Sequence, residues 1–376
     1  MQPPRDFNAP SRGVLDWLAG TLGRLLVSIL IPLLTFGLLI VGFRWLRDTL
    51  PNNNFQKAVI SVVAIVWGVG GAALLYLVSN WFVERLPGPW VRRLQPFVFV
   101  GPAVAVLTWY LALPTLRTFW ISLHDRTGKE FVGLANYIAV FTERDMLLSF
   151  RNNLLWIVFG ASLTIIFGLL IAVLADRSRF ENLAKGLIFM PMAISMVGAG
   201  VIWNFVYAVR DINDPQIGLL NAIWVALGHQ PQAWTAMLQP WNNLFLIVVM
   251  VWMQTGFAMV IFSAAIKGIP EDLLEAARVD GANEIQIFFR IMLPYIRGTI
   301  ITVTTTVVIF SLKIFDVVWV MTGGQFGTHV IATQFFRQAF TNQNKGYAAA
   351  IAFILLLAVV PVMVYNLKQF REEEAF

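Results

Sequence analysis

Long uncharged apolar stretches recur along the chain, and their length decides how they are read. A bilayer core about 30 Å thick is crossed by roughly 20 helical residues. Runs of that size fall near residues 25–43, 58–83, 94–116, 154–175, 187–208, 244–266, 299–320 and 347–367. A helix satisfies its own backbone hydrogen bonds in lipid, so eight transmembrane helices are predicted. The short alternating segments that build an outer-membrane barrel dominate nowhere. The expected fold is therefore all-α and polytopic.

The polar stretches between the runs set the organisation. The loop Glu84 to Arg93 is basic and holds Pro87 and Pro89, which places a boundary between an N-terminal tail with two accessory helices, 1–93, and a six-helix core, 94–376. Pro3, Pro4 and Pro10 precede the first run, which reaches Arg44 without an A-x-A cleavage pattern, so a retained helix is expected and not a signal peptide. Two connections, 117–153 and 209–243, are long enough to suggest docking of an external partner. In the second of them, Trp234 and Trp241 equally suit the membrane interface.

Composition agrees. The chain has 376 residues, 58% hydrophobic and 13% charged, outside the balance of soluble domains. Its net charge of +6 is spread singly or in pairs, without the clustered face that nucleic acid requires. With eight spans both termini share one side, which carries 15 of the 27 Lys and Arg against 11 opposite, a bias toward cytoplasmic termini. The absence of cysteine removes disulfides and thiolate metal sites. His124, His229 and His329 all fall in connecting loops and no H-E-x-x-H is present, so neither a metal site nor a membrane enzyme is expected.

Residues 267–297 carry the most specific signal. Pro270 suits a first helical position, and Glu271 and Asp272 suit the positive end of a helix. Leu273, Leu274 and Ala277 then share a face, Gly281 supplies a stop, and a second short helix follows with Ile285, Phe288, Phe289 and Met292 apolar until Pro294 ends it. A surface helical hairpin is predicted, with Ala276 and Ala277 permitting close approach by another body.

Position for position, Glu275-Ala276-Ala277, Asp280-Gly281-Ala282, Phe288, Ile291, Leu293 and Pro294 resemble the EAA loop of ABC importer permeases. The resemblance implies a type I ABC importer permease fold in a bacterial inner membrane, with this loop cytoplasmic and both termini inside. It makes Glu275, Ala276, Ala277, Asp280, Gly281 and Ala282 the residues that couple to an ATPase subunit. The chain lacks G-x-x-x-x-G-K-[ST], so ATP and Mg belong to two partner ATPase subunits and no cofactor is expected on this chain. The other implied partners are a second permease, forming a heterodimer, and an extracytoplasmic substrate-binding protein.

Met190-Pro191, Gly218-Leu219-Leu220-Asn221 and the segment from Phe315-Asp316 through Trp319 to Thr322-Gly323-Gly324 bring the resemblance closest to the eight-span, maltose-type carbohydrate permeases. A sugar removed from water needs aromatic faces and hydrogen-bonding partners. The candidates are Gln254, Thr255 and Phe257 in the sixth span. In the seventh they are Val307, Phe310, Ser311 and Ile314, which share one helical face. Packing within the bundle accounts for Phe257 and Phe310 equally well. Met192, Ser195 and Met196 are secondary candidates, and Asn204 is expected to bond a neighbouring helix. Lys313 and Asp316 are placed to pair on the seventh span, with Lys313 also able to reach a sugar hydroxyl. A polyol or glycerol phosphate importer and an ion-coupled secondary transporter are the competing readings. The first predicts clustered cations for phosphate, and the second predicts several intramembrane carboxylates, of which only Asp316 is seen.

Overall fold

The computed structural model describes residue 30 and residues 33–49, 53–84, 88–176 and 178–373. These residues are helical apart from turns and a single isolated bridge between His124 and Phe131. They form two compact units, Met1–Pro114 and Thr115–Phe376.

In the first unit, α1 (33–48) is followed by α2 (Asn54–Glu84) and the leading part of α3 (Val91–Ser122). The Trp67 indole N–H donates to the Leu39 carbonyl at 3.2 Å, and Tyr76 meets Phe99 edge to face. The outward surfaces stay apolar and exposed, as lipid-facing helices require. Part of the first predicted span, 25–43, lies outside the described residues, as does the proline-bearing N-terminal stretch.

The second unit contains α4 (Ala135–Thr142), α5 (Arg144–Asp176), α6 (Glu181–Ala193), α7 (Met196–Val206), α8 (Leu219–Ala226) and α9 (Trp241–Lys267). After these come α10 (Glu271–Val279), α11 (Glu284–Tyr295), α12 (Arg297–Leu312), α13 (Asp316–Thr322), α14 (Ile331–Phe336) and α15 (Lys345–Glu373). Helix α9 is the axis of the core. Its buried Leu246, Met250, Met259 and Phe262 pack with Trp156 and Ala172 of α5, Ala199 of α7 and Val303 and Val307 of α12. A second cluster joins α4, α5, α14 and α15 through Val140, Met146, Ile331 and Ile351.

Among the described residues, five helices are long and apolar enough to cross a membrane, and two bent pairs raise the total to seven. Together they coincide with the seven predicted runs from 58–83 onward. Two runs read as straight spans are broken. The run 187–208 bends by 103° between α6 and α7, because Ile194 and Ser195 are extended and the Ser195 hydroxyl accepts from Gly198 N–H at 3.0 Å, capping α7. The run 299–320 ends at Leu312, and Lys313 to Phe315 leave the helix before α13 begins. Both long connections contain helix as well: α3 continues to Ser122, α4 and α5 fill 135–153, and α8 lies within 209–243.

Candidate functional site

The hairpin forms as its local chemistry dictates. Pro270 serves as the N-cap of α10, one position earlier than expected, and leaves Glu271 and Asp272 in the first turn. The helix ends in a Schellman motif. Gly281 N–H donates to Arg278 O and Ala282 N–H to Ala277 O, both at 3.0 Å, with Gly281 at φ +84°. Ala277 and Ala282 are the two residues this motif brings into apolar contact. Asn283 then caps α11 in a capping box: it accepts from Gln286 N–H and donates its own N–H to the Gln286 side chain, both at 2.9 Å. Arg278 and Glu284 bridge the two arms at 3.1 Å.

The hairpin has its own core of Ile269, Ala277, Ile287, Met292 and Ile296. Of the six predicted coupling residues, Glu275, Ala276, Asp280 and Gly281 are exposed, Ala277 is buried and Ala282 is half-buried. Ala277 is therefore unavailable to an outside body, because the turn uses it. Leu273 and Ala276 are exposed, and Val279 is 88% exposed, so they present an apolar arc at i, i+3 and i+6. Pro294 does not end the second arm. A π turn over Phe288–Met292 leads into it, and α11 continues to Tyr295 before a 71° bend into α12. A Cβ added at Gly281 meets open space, so Gly281→Ala is expected to cost only the left-handed backbone penalty, about 1 kcal/mol. Thermal unfolding of the purified protein measures it.

At the same end of the core, three helix termini are tied by charge. Asp176 at the end of α5 accepts from Ser263 Oγ at 2.6 Å and pairs with Lys185 Nζ at 2.5 Å. Lys185 also pairs with Glu181 at 2.5 Å, and Glu181 with Lys267, the last residue of α9. The Glu181 to Lys185 spacing signals its own pair in sequence, while the link to Asp176 does not.

The mid-span candidates separate into two groups. Thr255, Val307, Ser311 and Ile314 are buried in the chain's own core. Thr255 Oγ1 donates to Val251 O at 2.6 Å, and Ser311 Oγ donates to Val307 O at 2.9 Å with Met250 Sδ beside it. Gln254, Phe257 and Phe310 are partly exposed and Lys313 is exposed. Lys313 and Asp316 form no ion pair, since the chain leaves the helix between them and removes the shared face. Ser195 is a cap, Met196 packs against the core, and Asn204 Nδ2 donates to Val320 O at 3.4 Å.

The opposite end of α9 holds a buried amide network that the apolar runs did not reveal. Asn153 Oδ1 accepts from Ile331 N–H at 2.8 Å while its Nδ2 donates to Leu312 O at 3.2 Å. Asn152 Nδ2 donates to Gly327 O and His329 O at 2.7 and 2.8 Å, and Asn242 Nδ2 to Phe326 O at 2.8 Å. The signal was present as the paired asparagines 152–153 and 242–243 near the starts of two spans. Asn221, in the Gly218–Asn221 motif, plays a similar part, donating to Ala208 O and Gln232 O at 3.0 Å.

Among the described residues, seven apolar passes, two of them broken, with a stiff helical hairpin at one end, describe a multi-pass membrane protein. The chain belongs to the family described as binding-protein-dependent transport system inner membrane component, whose model matches residues 164–372. It is 52% identical over 277 residues to the osmoprotective compounds uptake permease protein GgtC of Synechocystis sp., covering 74% of this chain and 99% of that protein. It is 50% identical over 283 residues to the alpha-glucoside transport system permease protein AglF of Rhizobium meliloti, covering 75% of this chain and 84% of that protein. Among solved structures, a bacterial ABC transporter involved in import of the acidic polysaccharide alginate matches with a TM-score of 0.63 at 20% identity, over 74% of this chain and 96% of that one. The likeness establishes the type I ABC importer permease fold.

Proposed function

We propose that this chain is the permease subunit of an ATP-driven importer for a sugar, oligosaccharide or glycoside. It forms half of the pathway with a second permease subunit, receives solute from an extracytoplasmic binding protein and is driven by two ATPase subunits that hold ATP and Mg. The hairpin then faces the cytoplasm, as do both termini, in a bacterial inner membrane. Residues 1–93 are accessory to the core from 94 onward. The observation that carries this reading is the exposed face of α10, where Glu275, Ala276, Val279 and Asp280 project from a hairpin stiffened by its own caps and core. A lever needs this combination of a rigid body and an unspent surface.

The solute class is supported by relatives that include the alpha-glucoside permease and the trehalose/maltose transport system permease protein MalF of Thermococcus litoralis, 31% identical over 288 residues. Of the mid-span residues, Gln254, Phe257, Phe310 and Lys313 are the ones that keep exposed surface for a solute, although Phe257 and Phe310 also pack against the core. Thr255, Val307, Ser311 and Ile314 support them from behind.

Val279→Asp tests the coupling role, because that side chain barely touches its own chain. Stability is expected to stay unchanged while the ATPase subunits bind about tenfold more weakly, the loss of one well-packed apolar contact. Co-purification and solute-stimulated ATP hydrolysis read it. Undiminished association and coupling in Val279→Asp and Ala276→Asp together would remove the hairpin from the docking surface.

A further inference from the structure

Helix α9 is 27 residues long, so its two ends are separated by about 40 Å. Beside the end opposite the hairpin lies a cavity of ≈ 500 Å³ walled by Asp145, Trp319, Gln325, His329, Gln334 and Arg337. This size suits a small solute, since ligand pockets run from roughly 300 to 1,000 Å³.

Gln334 is the anomaly in the wall. It is 1% exposed, and its backbone N–H is bonded to Val330 O, yet its side-chain Nε2 has no acceptor. Buried amide donors are almost always paired, and the neighbouring polar groups are: Arg337 meets Asp145 at 3.4 Å, and His329 Nδ1 lies 3.1 Å from Thr333 Oγ1. Burial and the Arg337 charge hold the His329 imidazole below its usual value, so it faces the cavity region neutral at pH 7.

We infer that this cavity is a binding site for an uncharged polyhydroxylated solute, with Gln334 Nε2 donating to one of its hydroxyls. Arg337 and Asp145 bring a donor and an acceptor side by side, the arrangement two adjacent hydroxyls require. Trp319 adds an aromatic wall for the apolar face of a sugar ring. Paired opposite charges and a neutral imidazole give neither an anion nor a cation an advantage. The inference rests on the importer reading and adds to it a station for the solute before the mid-span residues, on the side where a binding protein would release it.

The chain has no cysteine, and Thr341 is an exposed residue lining the cavity, so Thr341→Cys places a single thiol there. The assembled permease–ATPase complex is reconstituted in nanodiscs without the binding protein and labelled with a maleimide, using sucrose and trehalose as neutral probes. Either sugar at high occupancy is expected to slow labelling about fivefold by mass action. Gln334→Met on the same background is expected to restore the unprotected rate without changing the sugar-free rate. Gln334→Leu removes the amide altogether and serves as a second variant. Protection that survives both variants overturns the inference. So does absence of protection by both sugars while cells carrying the complex still take up a glycoside, an outcome that leaves the importer reading intact. Absence of protection together with absence of glycoside uptake removes both.

Discussion

Gly256→Ala is expected to destabilise the protein by about 3 kcal/mol, the upper part of the range for forcing a methyl group into a packed interior. A Cβ at this position would lie 2.5 Å from Ile188 O and 2.7 Å from Phe189 Cα. Both obstacles are backbone, so no side chain can swing aside, and α6 must separate from α9. Close backbone approach through small residues is how helices associate in lipid, where the solvent supplies no hydrophobic drive between them. Gly186 provides the control on the same arm, because an added Cβ there meets nothing within 4 Å. Gly186→Ala should be neutral or slightly stabilising, since alanine is the better helix former. Thermal unfolding of the two variants separates close approach from helix propensity. The contact sits one turn before the break at Ile194, so uptake should fall in Gly256→Ala while the hairpin still binds ATPase subunits. Equal stability of the two variants would place α6 farther from α9 than the structure has it.

The membrane passes were legible because length and the absence of charge are properties of a run, and a bilayer tests little else. Their breaks were not. The run 187–208 stays apolar through Ile194 and Ser195, so hydropathy is blind to a change of backbone direction that one serine hydroxyl stabilises. The run 299–320 carried a visible warning in Lys313. Treating that residue as half of an ion pair with Asp316 assumed the helix continued through it.

The two halves of the site differ in the same way. Hairpin geometry is written in short-range chemistry, with acids in a first turn, a glycine at the left-handed position and a capping residue three before its partner, so it can be read over a dozen residues. Substrate candidates depend on which way a helical face turns. The periodicity that joins Val307 and Ser311 is real, but the face they share is directed into the core beside Met250 and not into an open pathway, and Ile314 lies past the end of the helix. The buried asparagines escaped notice because, near the ends of apolar runs, they looked like ordinary boundaries. The partners of Asn152 and Asn153 lie about 160 to 180 residues away in sequence and that of Asn242 lies 84 away, beyond the reach of any local rule.

Asn153→Leu is expected to cost on the order of 4 kcal/mol, from two buried backbone groups losing partners at roughly 1–3 kcal/mol each and a bonded amide replaced. Ile331 opens α14 and Leu312 closes α12, positions where a helix has no internal partner for its end groups. Asn153, only 2% exposed, supplies an acceptor to the first and a donor to the second. Leucine keeps the branching at Cγ and is the larger side chain, so no cavity opens and the loss reports the missing hydrogen bonds together with some crowding. Asn153→Asp keeps the acceptor for Ile331 but loses the donor to Leu312 and buries a charge, so it should fare no better. Asn204→Leu is the counterpart, removing one 3.4 Å bond from an exposed residue, and should change stability by no more than about 0.5 kcal/mol. Because the hairpin lies at the other end of α9, Asn153→Leu should impair uptake and lower the unfolding temperature while ATPase association persists. A variant as stable and active as the wild type would mean that the bend at Lys313 is held by packing alone.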